Sequence, residues 1–194
     1  MKNFKCFLSF FILLFVFTGL LAGCQKDTSS LTKIKVAEVT HSVFYAPSYV
    51  AMSEGFFEEE GLEVELTNAG GADKAMAALI SGEVQVGFMG PEATIYVYNE
   101  GGKDIPINFA QLTQRDGSFL VSNPNFTFDS LKGSEIIGGR KGGVPEMTLE
   151  YVLKSKGLDA RPDDKNAEVN VRTDIAFDAM AGAFTGLDAD YVTL

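Results

Sequence analysis

The sequence predicts an α/β fold made of two lobes. Two observations predict it: strand-type and helix-type runs alternate from about Lys33 onward, and the turn-forming stretch Ser122-Asn123-Pro124-Asn125 interrupts that alternation. Strand-type runs, rich in β-branched and other apolar residues, fall at 34–39, 63–66, 84–88, 105–110, 119–122, 135–138, 168–171 and 190–194. Met76, Leu79 and Ile80 form an apolar helical stripe ahead of Gly82, and Leu149, Val152 and Leu153 form another ahead of Gly157. Glycine at that place adopts the left-handed conformation that ends helices. Such alternation implies a largely parallel sheet, because parallel strands need a crossover and a helix supplies it. The expected organisation is a first lobe over 33–121, a hinge crossing over 122–126 and a second lobe over 127–194. Ligands of open α/β sheets bind beyond the carboxyl ends of the strands, so two such lobes face each other across a cleft.

The sequence stops at Asp190-Tyr191-Val192-Thr193-Leu194, inside a strand-type run with no polar tail, so the second lobe reads as truncated. At roughly 70 residues its core is of marginal size, and poor folding of the second half is expected.

The amino terminus carries a different message. Lys2 and Lys5 precede an apolar run starting at Phe7 that is short for a membrane span and ends in small residues, the three parts of an export signal. Leu21-Ala22-Gly23-Cys24 resembles the lipobox of bacterial lipoproteins. The resemblance implies removal of residues 1–23 as a lipoprotein signal peptide, lipid on Cys24, and an extracytoplasmic chain held to the cell membrane. The competing reading is a transmembrane anchor followed by a free thiol. Residues 24–32 are polar and aperiodic, as a flexible tether would be.

Composition excludes several functions. A net charge of −10 argues against nucleic acid, whose phosphates need a basic face. Of the two cysteines, Cys6 leaves with the signal, so no disulfide, CxxC metal site or thiol nucleophile is expected. With His41 as the single histidine, a metal site would be built largely from carboxylates; no metal, no cofactor and no catalytic residue is predicted.

Candidate ligand-binding residues follow the strands. His41, Ser42, Phe44 and Tyr45 come directly after the first, where the two rings either face a flat ligand or pack between helix and sheet. Gly90, Pro91 and Glu92 follow the third strand and open a helix, either offering backbone donors or forming a plain tight turn. Gln114 and Arg115 lie near the crossing, where Arg115 either grips a carboxylate or sulfonate or pairs with Asp116 at the surface. Gly142, Gly143, Val144, Pro145 and Glu146 are the main candidate: glycines admit a ligand to the backbone, and a proline at the helix start leaves the next amides free for an anion or polar group. Glu92 and Glu146 temper that reading. Facing the ligand, they would call for an amine or amidine; otherwise they serve the helix dipole.

These segments carry a resemblance. His41-Ser42-Val43-Phe44-Tyr45-Ala46-Pro47, Glu54-Gly55-Phe56-Phe57, Gly82-Glu83-Val84-Gln85-Val86-Gly87, Gly142-Gly143-Val144-Pro145-Glu146 and Phe177-Asp178-Ala179-Met180 are together similar to substrate-binding proteins of ABC importers. The branch is that of sulfonates, nitrate, taurine and the pyrimidine precursor of thiamine. The resemblance implies a two-lobed, hinged periplasmic-binding-protein-like fold, a small-molecule solute in the cleft and ABC permease subunits as partners. Taurine or an aminopyrimidine suits Glu92 and Glu146 better than nitrate or a simple alkyl sulfonate. A sensor or adhesion lipoprotein is the alternative. An enzyme of thiamine-pyrimidine synthesis is the remote one, since that relative's cysteine-rich motif is missing here.

Overall fold

The structure is a computed structural model, and it describes residues 30–122, 124–186 and 189–194. The expected signal peptide, Cys24 and the tether as far as residue 29 lie outside the described residues. Thr32–Leu194 form one compact unit.

The first sheet has the order β2-β1-β3, all parallel. β1 is Thr32–Glu38, β2 Leu62–Asn68 and β3 Val86–Phe88, with Val36 opposite both Leu66 and Val86. Helices α1 (Ala46–Ser53) and α2 (Phe56–Glu59) carry the chain from β1 to β2, and α3 (Ala72–Ile80) carries it from β2 to β3. α3 buries Ala75 and Met76 and lays Leu79 against Ala37 and Val84. Ile80, expected on that stripe, is 49% exposed, so the buried face is turned toward Ala75. Helix α4 (Glu92–Asn99) follows β3.

The second sheet has the order β4-β8-β5-β7-β6. β5 (Ser134–Ile137) is parallel to β7 (Val169–Arg172) and to β8 (Tyr191–Thr193); β6 (Ala160–Pro162) is parallel to β7, and β4 (Leu120–Ser122) is antiparallel to β8. Neighbouring strand residues point to opposite faces. Accordingly Ile136 joins a core with Leu149 and Leu153 of α5 (Val144–Ser155), while Ile137 joins another with Met180 of α6 (Met180–Thr185). Gly82 and Gly157 take φ of +78° and +84°, as their place after α3 and α5 requires.

The α/β class stands, and two expectations do not. Residues 105–110 form no strand: Pro106 has no amide to give a ladder, and Ile107 and Phe109 are 85% and 78% exposed. Residues 119–122 belong to the second sheet, where Phe119 and Leu194 exchange backbone hydrogen bonds of 2.7 and 3.0 Å. The chain therefore enters the second lobe before Phe119 and not at 122–126. The second lobe holds the larger core, because β5 is covered on both faces. In hydrogen exchange, amides of β5 and β7 should be the most slowly exchanging and those of β1 to β3 faster; slower exchange in the first sheet would contradict this packing.

Candidate functional site

Glu38 closes β1 and is only 2% exposed. A buried carboxylate needs donors, and the following loop supplies them. Tyr49 of α1 donates its hydroxyl to Glu38 Oε2 at 2.6 Å, and His41 Nδ1 lies 3.1 Å from Oε1. The His41 ring stacks on Tyr49 with centroids 4.3 Å apart, and the Ser42 amide donates to the Tyr49 hydroxyl at 3.1 Å. Ser42 Oγ then accepts from the Phe44 amide and caps the short 3-10 turn Val43–Tyr45. His41 and Ser42 are thus held as loop residues around Glu38, which the sequence reading did not single out.

Tyr45 packs its ring 4.3 Å from Phe88 at the end of β3. Burial, and then the charges of Glu38 and Glu92, push its hydroxyl pKa upward, so Tyr45 stands between two carboxylates and stays protonated. Phe44 lies over Gly117, where any Cβ would come within 2.6 Å of its ring. Gln114 and Arg115 are exposed, as is Pro91.

Glu92 begins α4 and is 8% exposed. Its carboxylate folds back over Gly90, whose missing Cβ leaves the space. Burial raises its pKa, although its own amide and that of Val144, across in the second lobe, act to lower it. Glu92 Oε2 has no hydrogen-bond partner. Such an atom, buried and undonated, costs about 1–3 kcal/mol.

The Gly142-to-Glu146 loop meets it. Gly142 has φ +72° and donates its amide to Glu146 Oε2 at 2.9 Å, while Tyr96 of α4 donates its hydroxyl to the Gly142 carbonyl at 2.9 Å. Gly143 caps α5, with Pro145 in its first turn. Donors of this loop are engaged internally: the Gly142 amide by Glu146, and the Met147 amide, beyond Pro145, by the Gly143 carbonyl. Glu146 is 2% exposed, and burial followed by the neighbouring Glu150 raises its pKa to about 7. Its Oε1, like Glu92 Oε2, has no hydrogen-bond partner. Burial pushes the Glu150 pKa up, but Glu146 and Lys154 together bring it below its ordinary value. One more bridge spans the lobes: Arg140 pairs with Asp73 at 2.6 Å, over the bare Gly71.

The structure thus brings the carboxyl ends of β1, β3 and β5 together around Glu38, Tyr45, Glu92, Val144 and Glu146. Among the described residues, the buried charged side chains are these three glutamates. A separate hollow of about 140 Å³, lined by Pro124, Asn125, Phe126, Ser130, Asp190 and Tyr191, includes none of the expected ligand residues.

This arrangement of two α/β lobes meeting at their strand ends is the periplasmic-binding-protein-like fold, and comparison with known proteins agrees. Residues 43–190 match the family described as NMT1/THI5 like, and the chain belongs to it. It is 47% identical over 177 residues to YtlA of Bacillus subtilis (strain 168), which carries the provisional name of a binding protein; the match covers 90% of this chain and 51% of that one. It is 30% identical over 129 residues, 64% of this chain, to 36% of a 4-amino-5-hydroxymethyl-2-methylpyrimidine phosphate synthase from Aspergillus parasiticus. The periplasmic aliphatic sulphonate binding protein SsuA from Escherichia coli shares the fold with a TM-score of 0.54 at 15% identity, over 85% of this chain and 54% of that one. The chain spans about half the length of YtlA or less of such curated relatives.

The Glu146 proton makes stability depend on pH. A carboxyl whose folded pKa lies above its ordinary 4.5 favours the folded state below that value, and the contribution fades as pH rises to about 7. Between pH 5 and 7.5, Glu146 should lower Tm by on the order of 5 °C. Glu146→Gln, which copies the protonated form, should reduce that slope; an unchanged slope would show that Glu146 ionises freely.

Proposed function

We propose that the chain is an extracytoplasmic solute-binding receptor of an ABC importer. It takes a small organic solute between the two lobes and passes it to permease subunits in the membrane, to which lipid on Cys24 tethers it. One observation carries the reading: Tyr96 of α4, after β3, donates its hydroxyl to the Gly142 carbonyl, after β5, at 2.9 Å, so the strand-end segments of both sheets border one crevice. In such a site the closed state supplies affinity, and the equilibrium with the open state permits release. The solute classes implied by the family are sulfonates, taurine and thiamine pyrimidine precursors.

A binder is favoured over an enzyme because the chain's one histidine is engaged with Glu38 and Tyr49, and its cysteine beyond the signal is Cys24. Membership of the same family as a pyrimidine phosphate synthase is the observation on the other side.

The test is uptake. Cells carrying the chain should accumulate one solute of these classes, and deletion of either the chain or the cognate permease should abolish accumulation. Uptake that survives both deletions, or a ligand held while uptake is unaffected, would favour the sensor or adhesion reading instead.

A further inference from the structure

Resting on the receptor reading, we infer that the crevice receives its solute through a cationic or N–H-bearing group, an ammonium or an amidinium, seated on Glu92 Oε2, and discriminates against anions. Three observations carry this. Glu92 Oε2 is an unpartnered carboxylate oxygen on a side chain more than nine-tenths buried, at the point where the two lobes meet. An acceptor left without a donor in such a place is completed by a donor from the ligand.

Several donors beside the crevice are already in use. The Gly142 amide goes to Glu146, Nη2 of Arg140 to Asp73, and the Tyr49 hydroxyl to Glu38. A sulfonate or nitrate entering here would bring three or more acceptor oxygens to a place where these donors are engaged.

The charge balance points the same way. Glu38 and Glu92 both act on the Tyr45 hydroxyl, and no basic side chain is paired with either in the described residues apart from the His41 ring at Glu38. A cation placed beside Glu92 lowers the energy of that buried negative pair, and an anion raises it. Phe44, 38% exposed over Gly117, offers an apolar face for the remainder of the solute. The likeness to a sulphonate-binding protein extends to the fold; the charge at this crevice is this chain's own.

The inference is tested on the full chain in detergent by thermal shift and calorimetry, with benzamidine, 4-aminopyrimidine and taurine as N–H-bearing probes and ethanesulfonate and nitrate as anions. At least one N–H-bearing probe should stabilise the protein, and Glu92→Gln should weaken it about ten-fold or more while leaving the unliganded Tm unchanged or higher. Binding of ethanesulfonate or nitrate as tight as that of every N–H-bearing probe would overturn the inference, as would silence from all N–H-bearing probes or undiminished binding by Glu92→Gln. Should Glu92→Gln fail to fold, the wild-type preference between benzamidine and ethanesulfonate decides. Uptake measurements judge the receptor reading separately: a chain that binds ethanesulfonate and supports its import loses this inference and keeps that one.

Discussion

Helices α4 and α5 meet near their starts, where Tyr96 of α4 holds the Gly142 carbonyl just ahead of α5, and the remainder of the site is arranged around that contact. Each helix start exposes amides and the positive end of a dipole, so two starts in contact repel unless negative charge lies between them. Glu92 and Glu146 supply it, one from each helix. Tyr96, one turn into α4, then fixes the Gly142 carbonyl, and Arg140 with Asp73 adds a partly exposed bridge whose contribution is small. Glycine at 90 and 142 is needed because these groups lie where side chains would otherwise stand.

Dipole compensation accounts for the presence of carboxylates, though not for every atom of them. Glu38 has both oxygens in contact with donors. Glu146 has one such contact, the Gly142 amide on Oε2, while its Oε1 and Glu92 Oε2 have no hydrogen-bond partner. A region tuned for stability alone would fill such places with apolar side chains or donors. Atoms of this kind destabilise the empty protein and are the ones best placed to meet a solute. Stability lies elsewhere, in the two clusters that sandwich β5.

Much of this was legible in the sequence, and the residues show why the rest was not. Gly82 and Gly157 announce helix ends because few other residues tolerate that backbone, and Gly142-Gly143-Val144-Pro145-Glu146 announces a helix start after a strand for similar local reasons. Residues 105–110 carry the period of a strand, yet pairing depends on a neighbour, and Pro106 weakens the case for one. The crossing was misplaced because Leu120–Ser122 is a strand in either lobe; its assignment rests on β8, about 70 residues later, which no local pattern encodes. Glu38 reads as the polar end of an alternating strand, and its importance emerges when Tyr49 and His41 fold back on it. Asp73 with Arg140 and Tyr96 with Gly142 are distant in sequence and carry no motif. The engagement of the Gly142 amide by Glu146 is the most consequential of these, since it sets a carboxylate where an anion was expected.

The most direct measurement is a crystal structure of the full chain with its solute bound. The account predicts an N–H group of that solute within hydrogen-bonding distance of Glu92 Oε2, with Tyr45 and Val144 at its border and the Gly142 amide still on Glu146. A solute held by the Gly142 and Val144 amides through anionic oxygens, or lodged in the hollow between Pro124 and Tyr191, would contradict it.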